Sequence, residues 1–340
     1  MDATMNETFV YLDMYEDEYS DANCSQGCDE SPRVSTEFAA MRTVLCVLCV
    51  LGLLGNASVL WILQRYVKLK TLTDVCLLNL ALSDLSLALS LLLWAYNSQS
   101  LAACKVATGV YQLGFYSGTL LVTLLSADRY LAIVHAVAVT RTRTLGYGPA
   151  AGVAVWLVSV VMATPEVTFA SVVADDDSSL SCKPLYPDQS QQFWKMFRNF
   201  REHTVSLFVC LPIQIFCYVK ILLVVSKTRN SKKARAVKLI LTVVGVFVVC
   251  WVPYNVVVFL QTLQLFAMLG SRKASRAIDS ATTWSEIIAV SHCCVNPVIY
   301  ALVGEKFREP LGNLLPRYCS KRRSSVNSET ETSNTALRSQ

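Results

Sequence analysis

Seven long runs with almost no charge set the limits on what this chain can fold into. The first extends from Thr43 to Leu63 without a charged side chain, and the others cover approximately 75–98, 106–127, 145–165, 204–225, 239–267 and 283–303. About 20 apolar residues at a rise of ~1.5 Å each cross a hydrocarbon layer roughly 30 Å thick, so each run has the length of a spanning helix. The second run is interrupted by Asp84; the fifth carries Lys220 and is blurred at its start by Lys195, Arg198, Arg201 and Glu202. Helices of a soluble protein would carry a polar face, and these runs show almost none. Charged residues make up 16% of the chain, against roughly 25% in a soluble domain. The expected fold class is an all-α membrane protein, a seven-helix transmembrane bundle surrounded by lipid.

Orientation follows from the basic residues, which concentrate in short cytoplasmic loops. The loops after the first, third and fifth runs hold Arg65, Lys68 and Lys70; Arg141 and Arg143; and Lys227, Arg229, Lys232, Lys233, Arg235 and Lys238. These loops belong inside, and they outweigh Arg272, Lys273 and Arg276 before the seventh run. An odd number of spans then places the N-terminus outside and the tail, with Lys321, Arg322 and Arg323, inside. The chain divides into an extracellular arm (1–36), a transmembrane domain (37–304), a short amphipathic cytoplasmic helix (305–315) and a tail (316–340). No cleavable signal peptide is visible, so the first span is expected to direct insertion. Residues 1–36 hold nine acids against Arg33, a formal charge of −8, within a chain of net charge +5. Such an arm is expected to be disordered and to concentrate a basic partner by long-range attraction.

Of the 13 cysteines, Cys24, Cys28, Cys104 and Cys182 lie outside, where disulfides persist. Cys104 opens the third helix and Cys182 sits in the loop between the fourth and fifth, so a bridge would tie that loop over the bundle mouth. Cys24 and Cys28 are left with two readings, a bridge to each other or free or intermolecular thiols. Asn6 and Asn23 lie in glycosylation sequons on the arm, whereas the sequon at Asn56 falls inside the first helix. Cys319, in the tail, is a candidate for palmitoylation.

Ionisable residues inside spans are costly and become functional candidates. Asp84 lies at mid-depth of the second helix, Asp128-Arg129 ends the third on the cytoplasmic side, and Glu286 is near the outer end of the seventh. Packing alone could hold Asp84, Arg129 could be an interfacial charge, and Glu286 could face water. Lys220 has the length to snorkel to the interface. Asn56, Asn79, Asp84 and Asn296 could converge as a polar cluster between the first, second and seventh helices. That cluster suits water and a small cation, which makes Na+ at Asp84 the candidate ion. Pro253 and Pro297 each remove a backbone hydrogen bond and create a pivot.

These motifs, in this order and on these helices, resemble the class A, rhodopsin-like G-protein-coupled receptors along nearly the whole chain. The resemblance is carried by Gly55-Asn56, LNLALSDL from Leu78 to Leu85, Asp128-Arg129-Tyr130, Trp156, Cys250-Trp251-Val252-Pro253-Tyr254 and Asn296-Pro297-Val298-Ile299-Tyr300. Within that family, DRYLAIVHA at 128–136 and SHCCVNPVIYALVGEKFR at 291–308 are similar to the CC subgroup of chemokine receptors. The chain departs from the subgroup in having Leu92 where a proline is usual, no cysteine in the loop before the seventh helix, and Pro212 only six residues before Tyr218.

The resemblance implies a ligand pocket lined by Trp94, Tyr111 and Glu286. It implies sulfation of Tyr11, Tyr15 and Tyr19 beside the arm's acids, and a switch built from Asp128, Arg129, Tyr130, Trp251, Pro253, Asn296, Pro297 and Tyr300. The implied partners are a CC chemokine, an inhibitory-type heterotrimeric G protein, and arrestin and receptor kinases acting on the Ser/Thr-rich tail. Membrane lipids surround the bundle; nucleic acid has no place in this reading. A transporter would show internal repeats or broken helix pairs, and a retinal protein would need a Lys between Thr283 and Val303. His135, His203 and His292 form no ligand or catalytic set, so no enzyme is expected. The nearest rival is a chemokine-binding scavenger that does not signal.

Overall fold

The computed structural model describes residues 32–67, 71–96, 100–135, 147–174, 180–226, 231–266, 268, 272–303 and 307. Asn6, Tyr11, Tyr15, Tyr19, Asn23, Cys24, Cys28 and Cys319 lie outside the described residues, as do the tail and all of 305–315 except Phe307. The described helices are α1 (Pro32–Tyr66), α2 (Leu72–Tyr96), α3 (Leu101–Val134), α4 (Tyr147–Phe169), α5, α6 (Ser231–Leu265) and α7 (Arg272–Val303). α5 is composite: α-helical over Gln191–His203, π-helical over Thr204–Cys210 and α-helical again over Leu211–Val225. Each of the seven contains a stretch long and apolar enough to cross a membrane, from Thr43–Tyr66 to Ser280–Leu302.

The outward faces confirm what solvates them. Val249 is 71% exposed, Leu302 70% and Val161 69%, exposure that costs nothing in hydrocarbon and would be unfavourable in water. Inside the bundle, Tyr116, Leu121, Leu125, Val243, Phe247, Trp251 and Tyr300 form one contiguous core. Between helices, close approach replaces the hydrophobic drive that lipid removes, so small residues sit where backbones meet. Gly114 on α3 is one such point: a Cβ there would stand 2.7 Å from Leu87 Cγ and 3.0 Å from the Leu87 amide. Its carbonyl accepts the Ser83 hydroxyl at 2.8 Å.

The departures noted in the sequence have local consequences. α2 continues as regular helix past Leu92, with no proline inside it. In α5 the π-helical stretch ends immediately before Leu211-Pro212. Proline cannot donate to the preceding turn and crowds it, and a widened turn next to Pro212 accommodates both effects. The expectation of an all-α chain needs one addition, a hairpin of β1 (Ala170–Ala174) and β2 (Leu180–Pro184) with Val172 opposite Cys182. Cys182 is disulfide-bonded to Cys104 at the start of α3, which ties the hairpin across the outer mouth of the bundle.

If Gly114 is needed for the approach of α2 and α3, Gly114→Ala overpacks the contact and costs about 1–3 kcal/mol. Gly245, where an added Cβ meets nothing within 4 Å, supplies the control. The melting temperature of purified protein should fall for Gly114→Ala and hold or rise for Gly245→Ala; equal melting of the two would refute the packing account.

Candidate functional site

Polar side chains in the bundle sort into three layers. In the outer layer Glu286 on α7 is buried and accepts a hydrogen bond of 2.8 Å from the Tyr111 hydroxyl on α3. The structure thus joins two residues singled out for the pocket, while the side chain of the third, Trp94, lies outside the described ones. Beside them is a buried network that sequence reasoning missed. Arg201 on α5 donates from Nη2 to Glu166 on α4 at 2.6 Å and from Nε to the Tyr116 hydroxyl on α3 at 2.9 Å. Its guanidinium also lies over the Tyr116 and Phe197 rings, 5.8 and 5.7 Å from their centroids. Glu202 accepts from the Tyr254 hydroxyl on α6 at 3.2 Å. Arg198, Arg201 and Glu202 looked like noise at the start of the fifth span. Their spacing of three and four residues, which stacks them on one helix face, was the available signal.

The middle layer centres on Trp251. Its ring packs against Phe115 at 4.8 Å, His292 at 5.5 Å, and Phe247 and Tyr254 at 5.7 Å. Its indole N–H is buried without a hydrogen-bond partner, and the ring borders a small void lined by Thr119, Ser206, Gln214 and Asn255. Trp251 can therefore move without breaking a hydrogen bond of its own side chain. Pro253 lies two residues further along α6, and Pro297 interrupts α7.

Asp84 lies just below, fully buried, and accepts from Asn296 Nδ2 at 2.8 Å. Asn56 joins α1 to α7 by donating to the Cys293 carbonyl at 2.8 Å. Asn79 was expected in this cluster, but α2 turns it toward α4, where it accepts the Trp156 indole N–H at 2.9 Å. The fourth neighbour is instead His292, whose Nε2 is 3.6 Å from Asp84 Oδ1. His292 Nδ1 contacts the Ala289 carbonyl, which can only accept, so Nδ1 carries a hydrogen. A sodium ion at Asp84 fits these residues poorly. Hard cations take oxygen ligands, and the group facing the open carboxylate oxygen is an imidazole nitrogen. Asp84 Oδ1 and His292 Nε2 are both buried without a hydrogen-bond partner.

The inner layer is the pair Asp128–Arg129, with 2.7 Å between Arg129 Nη2 and Asp128 Oδ2. Thr73 on α2 donates to the same carboxylate oxygen at 2.8 Å, which anchors Asp128 from a second helix. Tyr130 contacts His135 Nε2 through its hydroxyl at 3.1 Å. Tyr300 is fully buried and stacks on Phe307 at 5.4 Å, its hydroxyl without a hydrogen-bond partner. The closed ion pair and the buried, unsatisfied hydroxyl are both groups that a rearrangement of the cytoplasmic face would re-pair.

Residues 55–300 match the family described as 7 transmembrane receptor (rhodopsin family). The C-C chemokine receptor type 8 of Mus musculus is 39% identical over 325 residues, 94% of this chain and 90% of the relative. The Homo sapiens receptor of that name is 39% identical over 305 residues, 87% and 84% of the two chains. That of Macaca mulatta is 37% identical over 329 residues, 94% and 90%. With seven spanning helices, a disulfide-tied outer hairpin and this match over most of its length, the chain belongs to the rhodopsin family of seven-transmembrane receptors and, within it, to the chemokine receptors, as a multi-pass plasma-membrane protein and not an enzyme.

Proposed function

We propose that the chain is a receptor for CC chemokines that signals through an inhibitory-type G protein to calcium release and cell migration. The observation that carries this reading is the buried Glu286 held by Tyr111 at 2.8 Å across the pocket. A buried carboxylate with a neutral partner is a site for a positive group, and the type 8 receptors that the chain resembles are named for chemokine binding.

Capture begins at the arm. Its formal charge of −8 steers a basic chemokine, and sulfation of Tyr11, Tyr15 and Tyr19 adds to that charge. Glycans at Asn6 and Asn23 keep the arm solvated. The ligand's flexible N-terminus then enters the bundle, where its positive group draws Glu286 away from Tyr111 and Trp94 supplies aromatic contact. Trp251 re-packs, α6 and α7 pivot at Pro253 and Pro297, and Asn296 and Tyr300 follow.

At the inner face, separation of Arg129 from Asp128 frees the guanidinium for the G protein, with Tyr130 beside it. The bundle has two arrangements, and the ligand shifts the population between them. Kinases and arrestin act afterwards on Ser324, Ser325, Ser328, Thr330, Thr332, Ser333 and Thr335, and a palmitoyl group on Cys319 holds the tail to the membrane.

A panel of CC chemokines, scored for labelled binding together with calcium release and cyclic-AMP suppression, tests the reading; binding with no response from any ligand would favour a scavenger instead. With an activating chemokine, Glu286→Gln should lower signalling potency by roughly 10- to 100-fold, the effect of losing one side of a buried charge pair. Its affinity for labelled chemokine should fall by about threefold at most, since capture rests on the arm. Unchanged signalling would remove Glu286 from its role. Asp128→Asn removes about 1 kcal/mol from the closed form and should raise ligand-free signalling roughly fivefold. Basal signalling equal to the parent's would show that the pair is no lock.

A further inference from the structure

Lys220 is the one charged residue in the last α-helical stretch of α5, Leu211–Val225, and it is exposed on the outer surface of the bundle. Its neighbours there are apolar, with Phe216 50% exposed and Leu223 54%, so lipid covers this face. The apolar residues 221–225 separate it from Ser226, about 9 Å of helix at ~1.5 Å per residue. Helical side chains lean toward the helix N-terminus, which in α5 is the outer side and not the cytoplasmic one. The ammonium accordingly lies over the Phe216 ring, 5.8 Å from its centroid, and no carboxylate pairs with it among the described residues. A cation so placed in lipid is costly without a counter-charge.

A second set of donors stands on the other side of Phe216. Its ring meets Tyr130 of α3 at 5.4 Å, and the Tyr130 hydroxyl is 3.1 Å from His135 Nε2. Both helices run toward the cytoplasm, so Lys220, four residues past Phe216, and His135, five past Tyr130, reach a similar depth. Between a hydroxyl and an imidazole nitrogen only one hydrogen fits. If Tyr130 donates, His135 Nδ1 carries a spare hydrogen; if His135 donates, the hydroxyl keeps its own. One donor always remains for an outside acceptor, and His135 is exposed. The sequence beyond both helices adds Arg141 and Arg143 in 136–146 and Lys227 and Arg229 in 227–230, with no acid in either.

A charged donor and a neutral donor at one depth, facing acyl chains, call for an oxygen-rich anion with an apolar body. We propose that Lys220, Tyr130 and His135 bind the headgroup phosphate of an anionic phospholipid of the cytoplasmic leaflet where α3 meets α5. Lys220 donates to one phosphate oxygen and the spare hydrogen of the Tyr130–His135 pair to another. The acyl chains lie along Phe216, Ile213 and Val209, which are exposed on the same helix face. A zwitterionic lipid fits less well, because its own ammonium competes with Lys220 for the phosphate. Tyr130 follows Arg129 in the chain, so the bound lipid stands one residue from the Asp128–Arg129 pair.

The test uses the purified full-length chain in phosphatidylcholine nanodiscs, without chemokine. Trace phosphatidylglycerol or phosphatidylcholine with the same photoactivatable acyl chain is cross-linked, and the labelled peptides are mapped by mass spectrometry. Phosphatidylglycerol should label 130–135 and 209–223 at least about fivefold more than phosphatidylcholine does. Lys220→Gln should bring it down to the phosphatidylcholine level and Lys220→Arg should keep it. Tyr130→Phe combined with His135→Phe should lower it about threefold. Arg65, exposed at the cytoplasmic end of α1, supplies the control: Arg65→Gln should leave labelling of these segments unchanged. Excess inorganic phosphate should not displace the probe.

Equal labelling by the two lipids in the parent protein would mean an ordinary lipid annulus and overturn the site, with no variant needed. An equal loss in Arg65→Gln would mean diffuse attraction to a basic surface, and displacement by inorganic phosphate a site for free anions; either result overturns it. Unchanged labelling in Lys220→Gln, with weaker G-protein activation in discs of phosphatidylcholine alone, would assign Lys220 to the G protein instead. The labelling needs no ligand, so it decides the lipid site whether or not the chain answers a chemokine.

Discussion

Hydrocarbon offers no hydrogen bonds, so every polar group that enters the bilayer must find its partner inside the protein. Helices meet this demand for the backbone. The side chains must meet it one contact at a time: many hydroxyls return to a carbonyl of their own helix, and a second set of polar groups reaches across to a neighbouring helix. Asn56 reaches the Cys293 carbonyl, Asn79 receives Trp156, Asn296 holds Asp84, Thr73 holds Asp128 and Gln214 holds Thr123. Each of these bonds fixes how one helix is rotated against another. Because none can be replaced by water in lipid, the bundle can move only between arrangements that satisfy the groups again.

That restriction turns the orphaned groups into the informative ones. Trp251 Nε1, Tyr300 Oη, Asp84 Oδ1 and Arg201 Nη1 are buried and lack hydrogen-bond partners. Trp251 is two residues from Pro253 on α6 and Tyr300 three from Pro297 on α7, so two of them sit at the proline pivots. A structure optimised for a single state would pair them. A receptor needs a second state close in energy, and unsatisfied groups that a shift could pair keep the difference small.

Much of this was legible in the sequence, because it depends on quantities that add along the chain. Hydropathy located the first span at 43–63, where the structure has Thr43–Tyr66. The bridge between Cys104 and Cys182 was readable once the topology was known. What hydropathy averages away is rotation about the helix axis. Asn79 and Asp84 are five residues apart on α2 and face different neighbours, α4 and α7. His292 looked like one of three scattered histidines, yet α7 sets it 3.6 Å from Asp84. Glu166 and Arg201 lay just outside two different runs, at helix ends where charge is ordinarily interfacial, and only the folded bundle shows that they pair.

The central claim is that occupancy near Glu286 is read out at Arg129, across the thickness of the membrane. The distance between spin labels at the cytoplasmic ends of α3 and α6 tests it most directly, measured in the full-length receptor with and without a saturating, activating CC chemokine. A longer distance population on binding, absent in Glu286→Gln at equal occupancy, is the result the account predicts. Identical distance distributions with and without bound chemokine would contradict it.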